Sequence, residues 1–356
     1  MEVGLKNIRI KDIAKMAGVS KGTVDRILHG RPNVSATALA KVNAVLEKIN
    51  YKPNLIARSL GKGKNIRIVV LLPVSKDDPY WSEANSGIAQ AQDEWSQYGI
   101  TIDSFQYEHD GKSSLEHVGE IALKSKTDGV VMAPIFYQQA LTFLNRLNEK
   151  RIPYVLFNDN IPESNPISFI GQDLWQSGKL AGELMSLGHG VKEDIVIIHV
   201  GEDVKDSVYL AEKEKGFRDF YKLNGTQPSS IVSLNLQDDG NLLRAKVEHQ
   251  LKNKNLKGIF VTTSKSTSVV ASVLADSKRT DVRLVGYDML EDNLKYLKSG
   301  AIRFLINQNP KRQAFLGISH IVNHVLFKKK VPATELFPLE IITQQNVDSY
   351  IASAIH

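Results

Sequence analysis

Apolar positions change their period once along this chain. Up to residue 50 they recur at helical spacing: Ile13, Ala14 and Ala17, then Val24, Ile27 and Leu28, then Leu39, Val42, Leu46 and Ile49. The first two sets predict short helices over 10–17 and 21–28. Gly18 stands where a chain leaves a helix through a left-handed residue, and Ser20 is placed to cap the helix that follows. Ser35 caps a third helix and Pro53 blocks its continuation. Asn54 then caps one more short helix over 55–60, released by Gly61 and Gly63. From Ile66 the pattern becomes short apolar runs separated mostly by amphipathic stretches such as 81–98 and 115–124. The runs are IRIVVLLP, ITIDSFQY, DGVVMAPI, PYVLFND, ISFIGQD, DIVIIHV, SIVSLNL, KGIFVTT, VRLVGYD, AIRFLINQ and PLEIIT. This βαβ rhythm predicts parallel sheets covered on both faces. Eleven strands exceed one comfortable sheet, so the body is expected to hold two doubly wound lobes.

Composition sharpens this division. The chain has 356 residues, 42% apolar and 24% charged, which suits two or three soluble domains. The net charge of +6 is unevenly spread. Residues 1–65 hold 13 Lys and Arg against 4 Asp and Glu, a net of +9; the other 291 hold 32 against 35, a net of −3. A basic head on a mildly acidic body is the footprint of a nucleic-acid-binding module joined to something else. There is no cysteine, hence no disulfide framework, thiolate metal site or cysteine nucleophile. The N-terminus MEVGLKNIRIKD has no apolar core of a secretory signal, and no apolar run spans a bilayer, so a cytoplasmic location is expected.

The head carries the most specific chemistry. Two helices on a three-residue turn, with Lys21, Gly22, Thr23 and Arg26 turned outward at the start of the second, form a helix-turn-helix recognition unit. Three signatures follow in order over about fifty residues: DIAKMAGVSKGTV, RPNVSATALAKVNAVLEKINYKPN and LIARSL. This composite resembles the DNA-binding head of the lactose-repressor/galactose-repressor family of bacterial transcription regulators. Arg9 departs from the family habit of a Thr or Ser cap, and Asp12 in the first turn compensates through the helix dipole. Lys21, Gly22 and Arg26 are the candidates for base edges, Arg being the usual reader of guanine. Thr23, His29 and Asn33 are candidates for phosphate contacts that position the head. Asp25 stands where many relatives carry serine, and a carboxylate there repels phosphate. The resemblance makes 55–60 a hinge helix whose Leu60 wedges into the minor groove, with Ala57 one turn earlier small enough for close approach.

For the body the resemblance implies the periplasmic-binding-protein type I fold, with three crossovers and a ligand in the cleft between lobes. The full fold class expected is thus an N-terminal all-α helix-turn-helix head with a hinge helix, then an α/β body of two doubly wound parallel-sheet lobes. The expected boundaries are 1–53 for the head, 54–64 for hinge helix and linker, and 65–356 for effector binding and dimerisation. Lobe one takes about 66–171 and 305–331, and lobe two about 172–304 and 332–356.

Ligands in open α/β sheets bind beyond the carboxyl ends of strands. Those ends offer Asp78, Tyr80 and Trp81; Asn158 and Asp159; Asp173; Thr263 and Ser264; Asp288; and Gln308. The first group resembles the Asn-Pro-aromatic-aromatic turn of ribose-type binding proteins with Asp78 replacing the amide, so that Tyr80 or Trp81 stacks on a sugar. Lys213 stands three residues before Gly216-Phe217, where those proteins carry a ligand-binding Arg. Asp288 and Gln308 match the ribose-type pattern directly. The set is rich in carboxylates and amides, which accept from hydroxyls and repel phosphates. A neutral sugar or polyol is therefore expected, with a purine or sugar phosphate as the alternative effector.

Catalytic signatures are missing: there is no G-x-G-x-x-G after a strand, P-loop, G-x-S-x-G or H-E-x-x-H. His320 and His324 share a helical face but have no third ligand nearby in sequence, so no metal is expected. The expectation is a non-enzymatic, cofactor-free regulator, repressor activity being implied by the resemblance. Its expected partners are a near-palindromic double-stranded operator, a second copy of the chain and a small effector, with no membrane. A sugar-binding transport protein or a carbohydrate-active enzyme is the distant alternative.

Overall fold

The computed structural model describes residues 10–28, 32, 34–48, 66–76, 78–108, 112–187, 193–201, 204, 207–224 and 228–354. The chain divides into two compact units, Met1–Lys64 and Asn65–His356.

The described residues of the first unit form three helices: α1 (Ile10–Ala17), α2 (Lys21–Leu28) and α3 (Ala36–Lys48). Gly18 takes φ +60°, which turns the chain between α1 and α2. Ser20 Oγ accepts from Thr23 N at 3.1 Å, and Ser35 Oγ accepts from Ala38 N at 3.2 Å. Both caps satisfy N–H groups that a helix start leaves without partners. The core is small: Ile13, Ala14, Ala17, Val24 and Val42. Leu39 differs from expectation. It stays 44% exposed, while Val45 joins Val42 and Leu46 against the core, because α1 and α2 present too little surface to cover the whole stripe. Ile49 and the expected hinge helix lie outside the described residues.

The second unit is a pair of doubly wound lobes. Lobe one holds β1 (Ile66–Pro73), β2 (Ile100–Tyr107), β3 (Gly129–Met132), β4 (Tyr154–Asn158), β5 (Ser168–Gly171) and β11 (Thr334–Leu336). Their order is β11-β5-β4-β3-β1-β2, with every pair parallel. The near-continuous burial of β1 is what an interior parallel strand requires. One face is covered by α4 (Pro79–Ser96) and α12 (Pro310–Val325), the other by α5 (Lys112–Lys124) and α6 (Tyr137–Glu149).

Lobe two repeats the winding. Its strands are β6 (Asp194–Val200), β7 (Ser230–Leu236), β8 (Leu256–Val261), β9 (Arg283–Tyr287), β10 (Phe304–Asn307) and β12 (Glu340–Ile342), in the order β12-β10-β9-β8-β6-β7. Only β12 runs antiparallel to its neighbour among the described strands. Helices α7 (Leu174–Ser186) and α8 (Val208–Asn224) cover one face. The other carries α9 (Gly240–Gln250), α10 (Ser264–Ser277), α11 (Glu291–Ser299) and α13 (Val347–Ala354).

The lobe boundaries differ from the expected 305–331 and 332–356. Leu305 and Ile306 are wholly buried in the second sheet, so the chain returns to lobe one only after the polar Gln308-Asn309 break. Thr334–Leu336 then adds a twelfth described strand, to lobe one, before β12 re-enters lobe two. With only three residues and two of them polar, β11 leaves no hydrophobic run to read. The three crossings are joined by one side chain. Gln172, on the first, donates Nε2 to Asn307 O at 2.9 Å on the second and to Pro338 O at 3.0 Å on the third.

Candidate functional site

On the head, Lys21, Gly22 and Arg26 are exposed on α2, while Thr23 and Asp25 are half-buried. The Thr23 hydroxyl pairs with Ser20 Oγ at 2.9 Å, which ties it to the helix cap. Gly22 has ordinary surroundings: a Cβ there meets only Ser20 Oγ, at 3.7 Å. Nothing among the described residues of the head demands glycine at this position. His29, Asn33, Ala57 and Leu60 lie outside the described residues.

In the body the sequence-based candidates converge. A cavity of about 590 Å³ is lined by Asp78, Tyr80, Trp81, Asn158, Asp159, Lys213, Thr263, Ser264 and Gln308. It lies at the carboxyl ends of β1, β4, β8 and β10, as doubly wound sheets dictate. Lobe one supplies the rings. Asp78 caps α4, accepting from Tyr80 N at 3.0 Å, and so fixes where the next two side chains start. Tyr80 and Trp81 are only 5% and 4% exposed and meet edge to face at 4.9 Å. Trp81 also meets Phe157 edge-on at 6.4 Å. Tyr80 Oη donates to Asn158 Oδ1, and Asn158 Nδ2 donates to Asp159 Oδ2 at 2.9 Å. Burial and then the nearby carboxylates of Asp288, Asp159 and Asp78 push the Tyr80 phenol well above its ordinary value, so it is held as a hydrogen-bond donor.

Lobe two supplies a polar chain. Lys213, 3% exposed, donates Nζ to Thr262 O at 3.2 Å and to Gln308 Oε1 at 3.3 Å. Its ammonium also sits 3.8 Å from the centre of the Tyr287 ring. Burial brings its pKa down from 10.5 to about 8, against the opposing pull of Asp288 and Asp159. Gln308 Nε2 donates to Asp288 Oδ2 at 2.7 Å, and Ser264 Oγ donates to the same oxygen. Asp288 Oδ1 accepts from Gln308 N at 2.7 Å. Asp288 thus lies beneath the wall and orients Gln308 and Ser264. Burial raises its pKa, opposed by those hydrogen bonds and by Lys213. Asn158 and Asp288 both adopt left-handed backbone, at φ +71° and +61°, which Asn and Asp tolerate best among residues with a side chain.

Close packing sets the position of Lys213. A Cβ at Gly178 falls 2.0 Å from Lys213 O, and one at Gly216 falls 1.9 Å from Trp175 O. Only bare backbone lets α7 and α8 cross this near. Below Lys213, His199 joins Thr262 Oγ1 at 2.9 Å and Glu214 Oε2 at 2.6 Å. Burial raises the Glu214 carboxyl, but hydrogen bonds from His199, Ser233 and Arg218 outweigh it and leave the pKa at about 2.

Asp173 is separate from this group. It caps α7, accepting from Gln176 N at 2.8 Å, and lines an adjoining cavity of about 260 Å³. The larger cavity also takes residues that strand-end reading missed, among them Glu108, Tyr209, Asp238 and Lys265. Tyr209 lies one helical turn before Lys213, a spacing that was available as a signal. Lys265 pairs with Asp238 at 2.8 Å across two separate segments, which no local spacing reveals. His320 is occupied elsewhere, meeting Ser168 Oγ through Nδ1 and Glu335 through Nε2, each at 2.9 Å.

Comparison with known proteins matches both units. Residues 9–54 match the bacterial regulatory proteins of the lacI family, and residues 68–329 match the periplasmic binding protein domain. The sucrose operon repressor of Streptococcus mutans is 23% identical over 351 residues, 95% of this chain and 99% of that protein. Catabolite control protein A of Staphylococcus aureus is 24% identical over 267 residues, 69% of this chain and 79% of that protein. A crystal structure of a LacI-type transcriptional regulator from Bacteroides fragilis matches with a TM-score of 0.74 at 29% identity, over 81% of this chain and all of that one. A solute-binding protein of Burkholderia graminis in complex with D-arabinose shares the fold, with a TM-score of 0.73 at 22% identity over 81% of this chain and 98% of that one.

Proposed function

We infer the function from the family to which the chain belongs, the lacI family of bacterial regulatory proteins, built with a periplasmic-binding-protein body. It is a DNA-binding transcriptional regulator with a sugar-binding type of domain. We propose that it acts as a repressor whose operator affinity is set by a neutral sugar or polyol held between the two lobes. The observation that carries this reading is the charge of the larger cavity. Its lining holds four carboxylates, Asp78, Glu108, Asp159 and Asp238, against two ammonium groups, Lys213 and Lys265. Such a lining accepts from hydroxyls and disfavours a phosphate. Tyr80 and Trp81 add apolar faces of the kind that sugars use.

On the DNA side, Lys21, Gly22 and Arg26 read base edges, Thr23, His29 and Asn33 position them on phosphates, and Leu60 enters the minor groove with Ala57 beside it. Two copies of the chain bind a near-palindromic operator, each head on one half-site. The site is one of binding and not of catalysis, and the protein works in the cytoplasm. No helix among the described residues is long and apolar enough to cross a membrane.

Thermal unfolding of the full chain against three ligand panels tests the effector class. A ligand at 100 times its Kd stabilises by about 2.7 kcal/mol, a readable shift in Tm. Stabilisation by a neutral sugar or polyol is the expected result. Stabilisation by sugar phosphates or purines alone contradicts it.

A further inference from the structure

The smaller cavity has chemistry of its own. Three of its lining residues carry buried polar atoms with no hydrogen-bond partner: Asn160 Oδ1, Gln172 Oε1 and Ser207 Oγ. Gln172 and Ser207 are only 4% and 3% exposed. Buried polar groups are nearly always satisfied, so these three atoms have hydrogen-bonding capacity that a ligand or ordered water in the cavity can meet. Two of the three are carbonyl oxygens, which take only donors. The Gln172 amide cannot be turned around, because its Nε2 already holds Asn307 O and Pro338 O. Among the described residues the lining holds no Lys, Arg or His, whereas Asp159, Asp173 and Glu212 add carboxylates. A hydroxyl-rich neutral group fits this lining and a phosphate does not. Tyr137 and Trp175 supply ring surface.

The two cavities are continuous in their walls: Ile135, Asp159 and Tyr209 line both. We propose that the cleft takes a neutral disaccharide, one ring in the larger cavity and the second donating hydroxyls to Gln172, Asn160 and Ser207 in the smaller. This rests on the neutral-sugar reading of the larger cavity. The second ring would touch Gln172, the side chain that joins all three crossings between the lobes.

The test is isothermal titration calorimetry on the full chain. The hexose panel is glucose, galactose, mannose and fructose. The disaccharide panel is sucrose, maltose, lactose, trehalose, cellobiose and melibiose. At least one disaccharide is expected to bind about tenfold or more tightly than every hexose. Val208 is 57% exposed and lines only the smaller cavity, so Val208→Trp fills that cavity without entering the core. It is expected to weaken the disaccharide about tenfold and to leave hexose binding within about twofold. Ser207→Ala, which removes an unpartnered hydroxyl, should weaken the disaccharide alone. Hexoses binding as tightly as every disaccharide would overturn the inference and leave the neutral-sugar reading standing. A tight disaccharide indifferent to both substitutions would overturn it as well. Binding by neither panel would overturn the inference, and the neutral-sugar reading would then stand or fall on the thermal-unfolding panels.

Discussion

The head and the body handle their candidate functional residues in opposite ways. On the head, Lys21, Gly22 and Arg26 are exposed and outside a core of five buried residues. In the body, Tyr80, Trp81, Lys213, Asp288 and Gln308 are each at most 7% exposed, and Tyr80 and Trp81 belong to the apolar core of lobe one. The head carries its candidate contacts outside its buried core. The body lines its cavity with side chains that also hold the lobes together. Removing an exposed side chain of the head, Lys21 or Arg26, should therefore alter recognition with little change in stability, and changes to the cavity residues of the body should alter stability and recognition together.

The largest expected effect is at Trp81. Trp81→Ala removes a ring packed on Tyr80 and Phe157 and should cost about 3–5 kcal/mol in denaturant unfolding, together with effector binding. Lys213 comes next, and its effect depends on pH. Its pKa is about 8 folded and 10.5 when exposed in the unfolded chain. Below pH 8 both states hold the proton, and the full cost of burying the charge stands. Between pH 8 and 10.5 the unfolded state binds more protons, so stability rises with pH as that cost fades. Against a Lys213→Met reference, which lacks this titration, the wild-type chain should gain up to about 3 kcal/mol between pH 7 and 10.5. A flat difference would mean that the ammonium is well solvated.

Two smaller effects probe the head. Arg26→Ala should cost about 1–3 kcal/mol of preference at one base pair. Its unfolding free energy should stay within about 0.5 kcal/mol of wild type. Equal weakening on specific and random DNA would make Arg26 a phosphate contact. Gly22→Ala should stabilise the head by about 0.5–1 kcal/mol, since glycine is a poor helix residue and a Cβ has room there. Its DNA binding should weaken if the backbone at 22 must come close to bases. Destabilisation would show that the head itself needs this glycine.

What was legible in the sequence follows from range. The helices of the head and the strand ends of the body are local patterns, so α1, α2 and the cavity residues after β1, β4, β8 and β10 were visible in short windows. Asp78, Asn158, Thr263 and Gln308 could be brought to one cavity because doubly wound sheets put their strand ends together. The roles within that group were not legible. Asp288 looked like a ligand acceptor, yet both its oxygens are engaged by Gln308 and Ser264, a consequence of the β9–β10 pairing. Asp173 looked like its equal, yet it caps α7 at the edge of the smaller cavity. The exchange of β10 and β11 between lobes was also hidden, since it depends on which sheet edge a short strand finds. The joining of the crossings by Gln172 belongs to the same class, with partners 135 and 166 residues away.

A regulator of this design requires that effector binding in the body and DNA binding in the head be coupled. The direct measurement is fluorescence anisotropy of a duplex selected from a random pool by the full chain, titrated with and without the neutral sugar that raises its Tm. Saturating sugar is expected to change the Kd for that duplex by about 5–150-fold, a coupling of about 1–3 kcal/mol. A Kd unchanged by saturating sugar would contradict it.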